Sequence, residues 1–393
     1  MSKNINVEIV IVGGGLTGSI LALALAKCGF EICVIEKLKY QNLNNINYDT
    51  RTTALASSSK KLLSFINIWK DIEGQIGLIN EIRVSDGESP LFLHFDRHGS
   101  INEPLGFMIE NSYLRQILNS SLLKNPNIKL ISPASIENLS INNNNVKILL
   151  ANSTKIECDL IVAADGKDSF LRNYLKIPTY GWEYNQVAII TNINHEFTHD
   201  NIAHERFLEA GPLAILPLKN PNRSSIVWTE NKDNANAYVN LDDVSFNKEL
   251  SKKIGNFLGE TKTYGGKFNY PLKLQLAKQY IRNRFILIGD SAHSIHPIAG
   301  QGLNLSIRDI SALINILNVA KKYGFDIGTK EVLKEFQQVR RSDNLLMAAT
   351  TDLLNKLFSN NNPSIKLIRD LGLGFTNNYP ALKKKFIIHA IGN

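Results

Sequence analysis

A chain of 393 residues with 44% hydrophobic content has material for a large core and, as a prior, roughly two or three domains, which excludes a small binding module. The formal charge of +8 is spread along the chain rather than gathered with aromatic residues into a stripe, which argues against a nucleic-acid partner. Three cysteines, Cys28, Cys33 and Cys158, lack CxxC spacing and lie in or beside apolar segments, so buried thiols in a reducing compartment are expected.

The chain enters a strand over Val7 to Val12 almost at once, leaving no room for a signal peptide. There is no apolar run of the ~20 residues needed to span a bilayer. The expected location is the cytoplasm, with peripheral contact at the inner face of the membrane. Gly13-Gly14-Gly15-Leu16-Thr17-Gly18 follows the strand and opens an Ala- and Leu-rich helix that runs to Lys27. Gly29-Phe30 ends that helix, Glu31 to Ile35 forms a second strand, and Glu36 falls at its end. This is the order a dinucleotide site requires. Gly13 permits the turn, Gly15 lets a pyrophosphate approach, Gly18 lets helix and strand pack, and Glu36 accepts from a ribose hydroxyl. The motif alone leaves FAD and NAD open.

Farther along, Cys158 to Ala164 reads as another apolar strand, ending in Asp165-Gly166, with Arg172 near a helix start. For Arg172, a surface cation and a pyrophosphate neighbour are both open. The segment from Tyr180 to Tyr270 changes character: Val187 to Ile193, Ala203 to Leu208, Leu213 to Pro217 and Ser224 to Thr229 read as an antiparallel sheet, joined by a piece around Ile82 to Phe95. Phe207, Leu213, Ile215, Leu216 and Trp228 are either sheet core or, for one or two of them, cavity lining. Phe285 to Ile288 is a buried strand whose end, Gly289-Asp290, sets a carboxylate in the crevice where open α/β sheets bind ligands. Gly300-Gln301-Gly302 then opens a helix whose positive end suits an anion such as a reduced flavin ring. No second GxGxxG is present, so a resident dinucleotide with a transient nicotinamide partner fits best. No metal-ligand set is present.

Taken together, Gly13 to Gly18 with Glu36, Asp165-Gly166, and Gly289-Asp290 with Gly300-Gln301-Gly302 resemble the class A flavoprotein aromatic hydroxylases. Within that group, Asp49-Thr50-Arg51-Thr52-Thr53-Ala54-Leu55, Glu110 to Leu118 and Gly289 to Pro297 look most like the ubiquinone-biosynthesis hydroxylases of polyprenylated phenols. The resemblance implies an α/β Rossmann-like FAD-binding domain of the para-hydroxybenzoate hydroxylase type (residues 1–75, 103–179 and 276–345). It also implies an inserted antiparallel-sheet substrate domain (76–102 and 180–275) and a C-terminal helical region (346–393).

Further implications attach to matching positions. Glu36 holds the adenosine ribose, Arg115 lies near the pyrophosphate or ribityl chain, Asp290 binds a ribityl hydroxyl, and Gly300, Gln301, Gly302, Leu303 and Asn304 line the pyrimidine side of the flavin. Asp165 and Gly166 serve FAD and the transient nicotinamide. Arg51 lies near the flavin or its path, and His296 and Pro297 border it on the substrate side, so Arg51, His296 and Pro297 are the candidate catalytic residues. His293 and His296 are spaced i, i+3 in a turn, which suits a structural role as well as proton transfer.

The implied reaction takes electrons from NAD(P)H, combines reduced FAD with O2 as a flavin C4a-hydroperoxide, and hydroxylates the ring of a polyprenylphenol in ubiquinone synthesis. The implied partners are that phenol, O2, the membrane surface and other ubiquinone-synthesis proteins, with association into an oligomer left open. Lys383-Lys384-Lys385 beside Phe386, Ile387 and Ile388 suits either anionic lipid heads or a docked terminal helix. Two other functions stay open on the residues alone. A hydroxylase of a small soluble aromatic predicts polar anchors for a carboxylate in the middle sheet. A flavin- or prenyl-binding assembly protein predicts no turnover.

Overall fold

The computed structural model describes residues 4–39, 49–87, 92–96 and 103–359. The Asn-rich loop before Asp49 and the basic tail around Lys383 to Lys385 lie outside the described residues.

The first sheet is built on five parallel strands in the order Phe285–Leu287, Lys155–Ala163, Asn4–Val12, Ile32–Ile35 and Ile128–Ile131. Covered on both faces, such strands carry apolar residues at successive positions instead of alternating ones. Ile9, Val10 and Ile11 are accordingly all fully buried. The helix Leu16–Lys27 is buried from Gly18 through Ala26, which explains its Ala and Leu content and the absence of a polar face. It packs against the helices Asn111–Lys124 and Gly302–Lys322. Gly29 ends it with φ at +82°, a left-handed conformation that glycine adopts without strain.

A second, eight-stranded sheet runs His293–Ser294, Thr261–Ala277, Thr179–His195, Arg223–Asn231, Gly211–Pro217, Ile202–Leu208, Glu81–Asp86 and Phe92–Asp96. Its pairings are antiparallel except between Ile202–Leu208 and Glu81–Asp86. Two helices, Lys232–Val239 and Asp243–Ile254, cover its outer face. The sequence reading took this stretch as sheet alone, although Phe246, Leu250 and Ile254 recur at helical spacing and are fully buried. Burying each contributes about 1.5–3 kcal/mol. Leu213, Ile215 and Trp228 pack against them and are therefore core. Phe207 and Leu216 lie on the opposite, inner face, in clusters that include Ile298 and Ala54 respectively.

A three-stranded sheet of Thr52–Leu55, Gly106–Glu110 and Gly77–Ile79 also belongs to the described architecture. The helix Lys330–Phe358 runs unbroken past residue 345. Among the described residues, no helix is long and apolar enough to cross a membrane. Cys33 and Cys158 are buried, and desolvation raises both thiol pKa values, that of Cys33 to about 12.

Candidate active site

The glycine turn after the first strand is sterically compulsory. A Cβ on Gly13, whose φ is +105°, would meet the Ala164 carbonyl oxygen at 2.4 Å, and one on Gly18 would meet the Gly13 oxygen at 1.9 Å. Gly15 has no heavy atom within 4 Å of a built Cβ, so the helix N-terminus behind it is open to a ligand. Glu36 is buried and accepts hydrogen bonds from Gly14 N–H at 2.6 Å and Leu38 N–H at 2.8 Å. The acid at the second strand's end and the glycine turn thus form one unit.

Gly289 sits at the carboxyl end of the Phe285–Leu287 strand with φ at +59°, and a Cβ there would fall 2.8 Å from Ser306 Oγ. Its N–H donates to Asp309 Oδ2 at 2.9 Å. Asp290 follows on the surface of the turn and makes no hydrogen bond with the described residues. Across from it, Arg51 is held by Asp49 through two side-chain bonds of 2.8 and 2.7 Å and lies over the Tyr270 ring at 5.5 Å. The hydrogen bond to Asp49 is the main cause that raises the Arg51 pKa, and Asp290 adds to it. Asp49 also accepts from Arg115 at 3.3 Å. Burial lowers the Arg115 pKa against the pull of Asp49, and its Nε has no hydrogen-bond partner among the described residues.

Arg172 is not a surface cation: it is 4% exposed and donates to the carbonyl oxygens of Ser291 at 2.9 Å and Lys167 at 2.7 Å. It ties the Asp165 loop to the Gly289 turn. Asp165 Oδ2 accepts from Leu171 N–H at 3.1 Å, its Oδ1 lacks a hydrogen-bond partner among the described residues, and burial raises its pKa. Gly166 follows with φ at +81° and open space around a built Cβ.

The two histidines of the turn differ. His293 Nε2 lies 2.6 Å from Asp309 Oδ2, deep in the core, and Asp309 also receives Arg340 Nε at 2.7 Å and Asn344 Nδ2 at 3.3 Å. His296 is fully buried, neither ring nitrogen has a hydrogen-bond partner among the described residues, and burial pushes its pKa down to about 4. Tyr184 meets it edge to face at 5.2 Å. Pro297 precedes the short turn Ile298–Gly300, whose last residue has φ at +61° and would bring a Cβ within 3.2 Å of Ala54. Gln301 caps the helix Gly302–Lys322, Gly302 has open space before it, and Leu303 packs against the main core. Asn304 is a bracket: its amide donates to Ala54 O at 2.8 Å, and its oxygen accepts from Ala56 N–H and Ser59 Oγ.

Two strand-end turns, two open helix N-termini and an arginine pair held by Asp49 describe a cradle for an extended, hydroxyl-bearing dinucleotide. The model of an FAD binding domain family matches residues 6–324. Among relatives, the ubiquinone hydroxylase UbiL of Rhodospirillum rubrum is 40% identical, covering 98% of this chain and 89% of that one. The 3-demethoxyubiquinol 3-hydroxylase of Escherichia coli is 32% identical over 98% of each. This chain belongs to the class A FAD-dependent hydroxylases of the ubiquinone-biosynthesis family. Among solved structures, the p-nitrophenol 4-monooxygenase of Pseudomonas putida superposes with a TM-score of 0.81 at 18% identity, covering 100% of this chain and 99% of that one, which shows the shared fold.

As a member of the family the protein is an FAD-dependent monooxygenase with NAD(P)H as reductant. The residues present fit FAD. Gly15 and Gly302 leave space where a side chain would intrude, Glu36 supplies a buried acceptor at the second strand's end, and Asp290 keeps acceptor oxygens unused. Two further contributors, Asp49 and Asp309, carry roles beyond those their motifs imply. Asp49 opens the Asp-Thr-Arg motif and holds its Arg51. Asp309 was legible as an acid on the helix stripe formed by Leu305, Ile307, Ile310 and Leu313.

Proposed function

We propose that this enzyme hydroxylates the aromatic ring of a polyprenylated phenol in ubiquinone synthesis, using NAD(P)H and O2. One observation carries the choice of substrate. Among the described residues, the inner-face positions Ala203, Glu205, Phe207, Ala214, Leu216, Val227 and Ile190 of the second sheet hold no Lys or Arg, while Arg223, farther along that face, is engaged by Asn194 and the Tyr264 ring. A small hydroxybenzoate would need a cation there to offset burial of its carboxylate. A phenol with an apolar tail needs none.

That face turns toward the cradle. Thr52 Oγ1 donates to Ser225 Oγ at 2.8 Å, Arg51 lies over Tyr270, and Phe207 shares a cluster with Ile298. On this reading Gly13, Gly15 and Gly18 admit the pyrophosphate, and Glu36 holds the adenosine ribose. Asp290 accepts from a ribityl hydroxyl, Arg115 attracts the phosphates, and Gly300 to Asn304 face the pyrimidine edge. When bound, FAD supplies the chemistry that passes electrons from NAD(P)H to dioxygen. The protein's part is placement and dryness: the apolar wall excludes water, Pro297 and neutral His296 border the ring, and the N-terminus at Gly302 favours negative charge. Residues 76–102 and 180–275 then act as the substrate domain. A polyprenyl tail partitions into bilayers, so the reading includes work at a membrane surface.

Flavin bleaching tests the proposal. In the FAD-loaded enzyme, a short-chain 2-prenylphenol is expected to accelerate bleaching by NAD(P)H, and 4-hydroxybenzoate is not. Equal acceleration by both ligands favours the small-aromatic alternative.

A further inference from the structure

On the strand Ile202–Leu208, alternate side chains part to opposite faces of the sheet. His204 stacks on Phe257 at 4.4 Å, and Arg206 donates to the Lys253 carbonyl at 2.9 Å, which assigns both to the outer, helix-covered face. Ala203, Glu205 and Phe207 therefore share the inner face. Ala203 packs in the cluster containing Ala54, and Phe207 in the one containing Ile298. Ala54 and Gly300 are themselves neighbours. Glu205, between Ala203 and Phe207 and paired with Ala214 and Val84, thus looks into the space bounded by the Thr52–Leu55 strand and the Ile298–Gly300 turn.

Its carboxylate has no hydrogen-bond or ion-pair partner among the described residues, and desolvation alone lifts its pKa to about 7. Charged groups on adjoining elements turn elsewhere. Glu81, Arg83 and His94 lie on the outer face with His204, and on the helix Lys330–Phe358, Lys356 pairs with Asp352 at 2.9 Å. Asp86, at its strand's end beside Phe207, is a second acid on the inner face among the described residues. An acceptor set alone in an apolar wall is expensive unless a ligand donor meets it.

Resting on the substrate reading above, we propose that Glu205 anchors the substrate ring by accepting a hydrogen bond from its hydroxyl, and takes that proton as the ring is attacked. Electrophilic hydroxylation would move an electron pair from the ring into the new C–O bond while the O–O bond of the oxidant, derived from dioxygen with electrons from NAD(P)H, breaks and its other oxygen leaves to become water. The phenolic O–H is then strongly acidic. Glu205 accepts the proton to give a neutral dienone. Loss of the ring C–H proton, with one proton returned to oxygen, restores the phenol. A base whose pKa lies near the working pH suits this transfer.

The test uses FAD-loaded enzyme, 2-farnesylphenol and its methyl ether, which cannot donate. Wild type at pH 8 is expected to bind the phenol about tenfold or more tightly than the ether. That preference should collapse in Glu205→Leu with FAD content unchanged. Glu205→Gln should turn over more slowly and lose the rising limb of the pH–rate profile near pH 7. Wild type that binds neither ligand overturns the substrate reading and this role together. Wild type that hydroxylates farnesylphenol, with preference and pH limb intact in both variants, overturns the role of Glu205 alone.

Discussion

Asp309 and His293 meet at 2.6 Å in the interior, and Asp309 also takes the Gly289 N–H, so one carboxylate joins the turn that presents Asp290 to the long C-terminal helix through Arg340. Burial alone would raise the Asp309 pKa, but the charges and hydrogen bonds of His293 and Arg340 outweigh it and hold it at about 2. A folded-state pKa below the unfolded one contributes stability that is fully present above about pH 4. It is lost as pH falls toward 2. Asp309→Ala should cost about 3–5 kcal/mol in urea unfolding, because it leaves His293 Nε2, Arg340 Nε and the Gly289 N–H without their shared buried acceptor, although Arg340 keeps Asp343 and Asn344. It should also remove part of the stability loss seen between pH 4 and 2 in the wild type. A variant within 1 kcal/mol of wild type, on the order of an ordinary surface change, would show that this network does not carry the turn.

Asp290 has the opposite character, being exposed and without a hydrogen bond to the described residues. Asp290→Ala should leave the melting temperature of the apoprotein unchanged while weakening FAD by about 1–3 kcal/mol, roughly tenfold to a hundredfold in Kd. Fluorescence titration with FAD reads this directly. Unchanged FAD affinity would remove Asp290 from the cofactor site.

Asp49 holds Arg51 and Arg115 in place. Asp49→Ala frees two cations that then repel each other, and lowered FAD retention on gel filtration is the expected result, tenfold or more in Kd at about 2 kcal/mol. Arg51→Lys should share part of the defect, because a lysine lacks the paired N–H geometry that Asp49 grips. Full FAD retention in both variants would show that the pair does not shape the site.

His296 is held neutral down to about pH 4 by burial. Its titration therefore contributes no limb to the pH–rate profile between pH 5 and 8, and His296→Gln should change the height of that profile without moving its inflections. An inflection near pH 6.5, the ordinary histidine value, that vanishes in this variant would assign His296 a proton-transfer role.

The parallel sheet and its glycine turn were legible because the physics there is local. Buried parallel strands read as unbroken apolar runs, and Gly13, Gly18 and Gly289 stand where any Cβ would strike backbone or Ser306. The helices Lys232–Val239 and Asp243–Ile254 were obscured by surrounding Asn and Lys, with only Phe246, Leu250 and Ile254 marking the buried stripe. The face on which Leu213, Trp228 and Phe207 would lie depends on strand register and on those unseen helices, so their division between core and inner wall came only with the fold. The burial of Arg172 is hidden in the sequence for a related reason. Its partners are the carbonyls of Lys167 and Ser291, and a backbone acceptor 119 positions away leaves no mark in sequence.

The proposed reaction is oxygen transfer to a prenylated ring. The direct measurement is mass spectrometry of 2-farnesylphenol incubated with FAD-loaded enzyme, NAD(P)H and heavy-isotope dioxygen. The expected product carries one labelled oxygen on the aromatic ring. Reductant consumption that yields only hydrogen peroxide, or label entering 4-hydroxybenzoate but not the prenylphenol, would contradict the account.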